Sequence, residues 1–449
     1  MDILALLQCL QPHVTATTLR QCHRIVLAML VMTGRVTMLG LARWAGKGGS
    51  YRTVQRFFAQ ALPWAILLWV FFRQHVYRSE DVYLLVGDDV VVTTAGTHPH
   101  GLDRFFASLY GKPVPGLAFF TLSLVSIQAR RAFPVRVEQV VRSDAEKAAS
   151  KAKVAAKQSP AAIAKRRPGR PQGSKNKNKA DVTLTPELGR ITSMIDALLH
   201  LIAACIPLTY LVLDGHFGNH NALHPAQQCH LHLISKLRAD SALYFPYTGP
   251  YAGRGPRRKY GHKVHYDHIP EQYLQATTVE GHIQTQVYQA QLLHKAFVQP
   301  LNVVIIATTN LHTQAQAHVL LLSSDLTPAS ASLVDYYRLR FQIEFNFRDA
   351  KQYWGLEDFM HVTPTGGTNA ANLSLFMVNV AYRLQADVRQ RDPHDSILDL
   401  KADCRGYKYV EETIQMLPEK PAPVLLGQIF NKVAGLGRIH APQPSFSFA

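Results

Sequence analysis

The sequence predicts an α/β protein: a mixed sheet flanked by helices, behind a helical N-terminal region and interrupted by a β-rich insertion. Three observations carry this. Two nearly continuous apolar runs, Val82 to Val92 and Leu208 to Leu213, read as strands buried on both faces, and each carries aspartate inside it or at its end. Helical apolar periodicity runs through Leu19 to Leu30 and again from Ser330 onward. Alternating segments gather between about 249 and 325, where Gln284 to Tyr288 and Leu301 to Ala307 read as strands.

Composition narrows what such a fold does. The chain has 449 residues, enough for two or three domains at ~100–200 residues each, and its 47% apolar content excludes overall disorder. Lys and Arg number 48 against 31 Asp and Glu, a net charge of +17, which calls for a polyanionic partner, nucleic acid being the commonest. The five cysteines, Cys9, Cys22, Cys205, Cys229 and Cys404, form no CxxC pair, so neither a disulfide framework nor a cysteine zinc site is expected, and a reducing cytoplasm fits. The longest apolar stretches, Leu62 to Phe72 and Leu198 to Leu213, fall short of the roughly 20 residues a spanning helix needs. No basic region precedes an apolar core at Met1-Asp2-Ile3, so neither a secretory signal nor a membrane partner is expected.

In chain order, residues 1–80 form a helical region. Leu39 to Trp44 and Ser50 to Phe58, separated by the turn Gly46 to Ser50, resemble a helix-turn-helix with Arg52 and Arg56 on one exposed face, although two ordinary core helices would give the same pattern. Residues 81–248 form the first part of the core, with strands at Val82 to Val92, Ala118 to Ile127, Ala132 to Val141 and Leu208 to Leu213. A helix from Pro186 to Ala204 is capped by Thr185, and a His-rich helix runs toward Leu237. Within it, 145–182 is a basic insert: Lys151 to Lys179 holds ten Lys and Arg and no acid, and is expected to be extended or fraying. Residues 249–325 are the β-rich insertion, 326–385 the second part of the core, with Leu373 to Tyr382 a core-packing helix, and 386–449 a C-terminal tail.

The chemistry concentrates after Ser330. On one continuous helix, Tyr337, Arg340, Glu344 and Lys351 would fall within an arc of about 60°, beside an apolar stripe of Leu339, Ile343, Phe347, Ala350 and Trp354. A lone Glu between cations is usually a solvated ion-pair ladder. That reading weakens when Asp214, at the end of one apolar strand, and Asp88 or Asp89, within another, are added, because a carboxylate there is costly unless paired or metal-bound. Three such acids would suit Mg²⁺ or Mn²⁺ and two-metal phosphodiester chemistry. Neighbouring strand side chains point to opposite faces, so one of Asp88 and Asp89 faces such a site, and the sequence alone leaves open which.

The spacing Tyr337-x2-Arg340-x3-Glu344-x6-Lys351 resembles the YREK signature of insertion-sequence-4-type DDE transposases, and the order strand Asp, strand Asp, β-rich insertion, helix Glu is similar across about 80–360. The resemblance implies an RNase H-like core whose acids hold divalent ions. By it, Asp89, with Asp88 in reserve, Asp214 and Glu344 are the catalytic metal ligands, while Tyr337, Arg340 and Lys351 contact phosphates of double-stranded DNA. Val90 stands where relatives have Thr after the first Asp. The implied activity is DNA transposition by a homodimer associated with the nucleoid. A metal-dependent nuclease without strand transfer and a non-catalytic DNA-binding protein of the same fold are the alternatives.

Further basic features point to DNA. Lys165 to Lys175, with Arg167 and Arg170 in a Gly-Arg-Pro setting, is similar to an AT-hook, though a solvated linker has the same composition. Arg254 to Gly261 adds Arg257, Arg258 and Lys259. Lys236, Arg238 and Asp240 follow the second acid, with surface ion pairing the simpler account. His216, His220, His224, Cys229, His230 and His232 lack the paired spacing of structural zinc sites and are read as surface or hydrogen-bonded histidines.

Overall fold

The computed structural model of the chain describes residues 2–440 apart from 94, 95, 97, 108, 109, 159–181, 183, 204, 252, 254, 360 and 391. Five helices come first: α1 (Ile3–Leu7), α2 (Ala16–Val31), α3 (Met38–Trp44), α4 (Tyr51–Ala59) and α5 (Trp64–His75). Side chains of Thr15, Thr37 and Ser50 accept from backbone N–H groups in the first turns of α2, α3 and α4, which fixes where each begins. Gly46 and Gly48 take positive φ angles of 66° and 87° between α3 and α4, so the turn of the expected helix-turn-helix depends on residues without a Cβ. Arg52 and Arg56 on α4 are both exposed.

Among the described residues the sheet has twelve strands: β1 (Tyr83–Thr93), β2 (Asp103–Ala107), β3 (Lys112–Ser126), β4 (Arg131–Gln139), β5 (Tyr210–Val212), β6 (His232–Leu237), β7 (Leu243–Pro246), β8 (Tyr260–Lys263), β9 (Leu274–Glu280), β10 (Ile283–His294), β11 (Leu301–Asn310) and β12 (Gln316–Ser323). Its heart is the order β4-β3-β1-β5-β6, antiparallel from β4 through β1 and parallel from β1 through β6. This is the RNase H-like arrangement. The apolar strand runs explain it, since parallel central strands bury both faces: Leu84, Val86, Val212 and Ile234 pack on one side, Leu85, Leu211 and Leu233 on the other.

Several expectations are corrected. The His-rich helix, α8 (His220–Gln228), stops well short of Leu237; His230 takes φ 55° and the chain then enters β6, whose apolar residues are needed beside β5. The basic insert begins as an ordered helix, α6 (Asp144–Gln158), because Ser143 and Glu146 cap each other's backbone N–H groups and the following residues are rich in Ala and Lys; its remainder, including Arg167 and Arg170, lies outside the described residues. The β-rich segment runs on from the core sheet, with β12 pairing antiparallel to β6 from Leu320↔Leu237 to Ser323↔Ile234. In the expected C-terminal tail region, Ile397–Met416 and Pro423–Ala434 are helices.

The remaining helices are α7 (Pro186–Ile202, capped by Thr185), α9 (Ser330–Leu339), α10 (Gln342–Tyr353), α11 (Pro364–Arg389), α12 (Ile397–Met416) and α13 (Pro423–Ala434). The single helix expected from Ser330 is therefore two. At the joint, Phe341, Ile343 and Glu344 donate backbone bonds to residues three earlier, a tight 3₁₀-like step. The expected stripe survives the break: Leu339, Ile343, Phe347, Ala350 and Trp354 are all buried.

Buried polar contacts fasten the N-terminal helices to this half of the molecule. The Asn369 amide donates to the carbonyls of Phe58 and Gln60, each at 2.8 Å, and its oxygen accepts from the Trp64 indole at 2.7 Å. The Lys401 ammonium donates to Met29 O at 2.6 Å and lies 4.8 Å from the Trp354 ring centre. Replacing Asn369 with Ala leaves buried partners unsatisfied and is expected to cost about 2–4 kcal/mol of stability. Urea unfolding followed by tryptophan fluorescence measures this, and a loss below about 0.5 kcal/mol would contradict the role given to the joint.

Candidate active site

The acids line one cleft because the sheet pairs the end of β5 with the middle of β1, Val212 opposite Val86, and α9–α10 crosses that junction. Asp88 and Asp89 interrupt the buried run of β1, with Val90 and Val92 buried beyond them, and their side chains diverge with the strand's two-residue period. Asp88 shares its face with Val86, Val90 and Val92, which pack with Ile343, Phe347 and Ala350 of α10. Asp89 shares its face with Leu85, which belongs to the core cluster that also holds Ile191 and Met194 of α7. Asp214 follows β5, and its side chain accepts from the His216 backbone N–H at 3.1 Å, capping a short 3₁₀ turn from Gly215 to Phe217. That turn lies against β6: a Cβ on Gly218 would stand 2.0 Å from Lys236 O, so only glycine fits.

Arg340 sits at the helix break and ties two acids together. Its Nη1 lies 2.6 Å from Asp88 Oδ2 and its Nη2 3.1 Å from Glu344 Oε1, with the Tyr337 ring centre 5.9 Å from the guanidinium carbon. Its Nε is buried without a hydrogen-bond partner, a donor that water or a phosphate oxygen would satisfy. Two turns beyond Glu344, Lys351 donates to Val91 O at 2.9 Å and pairs with Glu357 at 2.8 Å. Asp88, Asp89, Asp214, Arg340, Glu344 and Lys351 all line one cleft of about 1430 Å³.

The electrostatics divide about Asp214. Burial pushes the Asp88 carboxyl up to about 7 against the pull of Arg340, and the neighbouring Asp89 and Asp214 add to the rise. Asp89 is solvent-accessible but deep in the cleft; burial, Glu187 and Asp214 raise its pKa. Glu187, at the start of α7, pairs with His216 at 3.6 Å and raises the imidazole pKa. His216 was expected as a surface or hydrogen-bonded histidine; Glu187 was not singled out, because its place in the cleft depends on the crossover from α7 to β5.

Of the expected DNA contacts, Tyr337, Arg340 and Lys351 lie at or beside the cleft. Arg257, Arg258 and Lys259 do not line it. They are exposed on the β-rich segment, where Arg257 lies 5.4 Å from the Tyr251 ring centre, Arg258 lies 4.9 Å from that of Tyr247, and Lys259 donates to Val298 O at 2.9 Å. Arg238 pairs with Asp240, as the simpler account had it.

Residues 6–298 match the family model described as DDE superfamily endonuclease. The chain belongs to that family. No curated protein matches it. In this DDE superfamily endonuclease the matched stretch includes Asp88, Asp89 and Asp214 and ends before Glu344, so the third acid rests on its place in the cleft. The family typically works with a divalent metal. The donors suit one in kind, being hard carboxylate oxygens in a partly buried cleft, where burial raises the proton affinity of Asp88 and Asp89. In spacing they are not yet a chelate: among the described residues no three His, Cys, Asp or Glu side chains stand close enough to hold an ion together, and Arg340 supplies the counter-charge between Asp88 and Glu344.

Because the folded state holds the Asp88 proton more tightly than the unfolded chain does, this group's contribution to stability is complete below about pH 4 and is lost as pH rises through about 7. In buffer with EDTA, Asp88→Asn should therefore gain on wild type by on the order of 2 kcal/mol between pH 5 and pH 8. Thermal unfolding across that range checks it; a difference that stays constant with pH would contradict the burial of Asp88.

Proposed function

We propose that this endonuclease is an insertion-sequence transposase, which cuts DNA at the ends of an element and joins the freed 3′-OH to target DNA, working as a homodimer on double-stranded DNA. The carrying observation is that acids from β1, the end of β5 and α10 share a cleft with Arg340 and Lys351, with Tyr337 lining the adjoining cavity. The YREK spacing supports the narrower assignment among DDE enzymes.

Mg²⁺ or Mn²⁺, held by Asp214, Glu344 and one aspartate of β1, would supply Lewis acidity and a lowered pKa for water. Resemblance favours Asp89 as that aspartate. The shared pairing of Asp88 and Glu344 with Arg340 favours Asp88, and we take Asp88 as the ligand, with Asp89 on the opposite wall. Arg340 and Lys351 would bind the phosphates on either side of the scissile bond, and Tyr337 would orient the Arg340 guanidinium. Each of these cations starts with an internal carboxylate partner, so DNA binding would exchange ion pairs in place of leaving charges bare.

The test is Mg²⁺-dependent cleavage and joining of labelled duplexes carrying the element's own ends. Asp88→Ala, Asp214→Ala and Glu344→Ala should each lose on the order of 10³-fold in cleavage rate while binding the duplex within about threefold of wild type. Asp89→Ala should keep at least about a tenth of the rate. Wild-type cleavage by Glu344→Ala would overturn the reading; cleavage without joined products would leave an endonuclease that does not transfer strands.

A further inference from the structure

The acid cleft continues past its carboxylates. Asp214 and Arg340 also form one end of a second cavity, of about 610 Å³, that runs beside Lys236 and Arg238 to His318. Ala239, Asp240 and His318 then open a third, of about 520 Å³, over the face of the β-rich segment, lined by Tyr266, Tyr288 and Lys263. Each cavity shares wall residues with the next, so the three adjoin in series as a trench running from the acid cleft to Tyr266.

The far end of that trench is built unlike the acid end. The Tyr266 and His318 rings stack with centres 4.4 Å apart and planes 27° apart. Both are pinned at their polar tips: the Tyr266 hydroxyl donates to Ser241 O, and His318 Nε2 lies 2.9 Å from Ala239 O. Neither ring is fully buried, so the fixed pair is a preformed flat surface. Tyr288 of β10 stands in the same cavity, and Gln286, Thr308 and Thr309 give its wall hydrogen-bonding groups. The exposed ammonium groups of Lys236 and Lys263 are spread along the path, while Asp240 is neutralised by Arg238 at 3.1 Å. Aromatic faces that tolerate any base, polar side chains and spaced cations are the combination that holds a nucleic-acid strand without its complement. A duplex keeps its base faces stacked internally and cannot offer them to such a surface.

We propose that this trench binds single-stranded DNA, with a base against the Tyr266–His318 pair or Tyr288 and phosphates along Lys236 and Lys263, and so draws one strand away from the acid cleft. The function given to the strand rests on the reading of that cleft as a DNA-cutting site, whereas the binding itself can be measured without it.

The test uses the full chain in EDTA, where no cleavage occurs, and a fluorescein-labelled 12-residue oligothymidylate followed by anisotropy, beside a duplex of random sequence. Wild type should bind the single strand. The double variant His318→Ala with Tyr288→Ala should bind it about tenfold more weakly, with duplex affinity changed less than about twofold. His318→Phe with Tyr288→Phe, which keeps the rings, should restore binding, separating stacking from misfolding. Because binding is read in EDTA, it is measured independently of whether the protein cuts duplex in Mg²⁺, so a failed cleavage reading would leave this result standing. Wild-type affinity in the double Ala variant, loss of binding in the Phe variant as well, or a wild type that binds duplex alone would overturn the proposal.

Discussion

The guanidinium of Arg340 stands between Asp88 and Glu344, and most of the architecture can be understood as what brings it there. Asp88 comes from a strand in the middle of the sheet and Glu344 from the helix after the last strand, more than two hundred residues later. Their meeting requires β1 to lie beside β5, the chain to return from β12 over that junction, and the helix to step sideways at Phe341. An ion pair this poorly exposed contributes little net stability, because desolvation offsets much of its attraction. What it supplies is position: without a cation, two partly buried carboxylates would repel each other or take up protons.

The same logic extends to the distribution of charge. The chain is strongly basic, yet its cleft gathers acids, and the cations nearest to them are already paired. The helical region is the reverse: residues 3–79 contain no Asp or Glu and nine Lys and Arg. That region is locked to α11 and α12 through Asn369, Lys401 and the Arg35–Asp358 pair at 3.0 Å. A positive surface and an acidic cleft are thereby held in one body, which is what an enzyme needs if it must hold a polyanion while presenting carboxylates to one of its phosphodiesters.

Much of this was legible in the sequence, for identifiable reasons. Central parallel strands read as apolar runs, so β1 with the aspartates inside it and β5 with the aspartate at its end stood out. The stripe from Leu339 to Trp354 read as a helix face because packing on the sheet requires it. Other features were illegible because their causes are not local. The break at Arg340 and Phe341 leaves the apolar spacing intact, and β6 hid in a His-rich stretch whose strand character comes from its neighbours β5 and β12. Helices α12 and α13 lie beyond the recognised motif. Alternation along β1 required Asp88 and Asp89 to diverge, but which faces Glu344 depends on the sheet side that α10 occupies.

The most direct measurement of the central claim is the anomalous scattering of Mn²⁺ in crystals of the full chain bound to DNA. The account predicts a peak in the cleft touching Asp88, Asp214 and Glu344, with the Arg340 guanidinium moved from Asp88 to a DNA phosphate. A peak held instead by Asp89 and Glu187, with Arg340 still on Asp88, or no peak in this cleft, would contradict it.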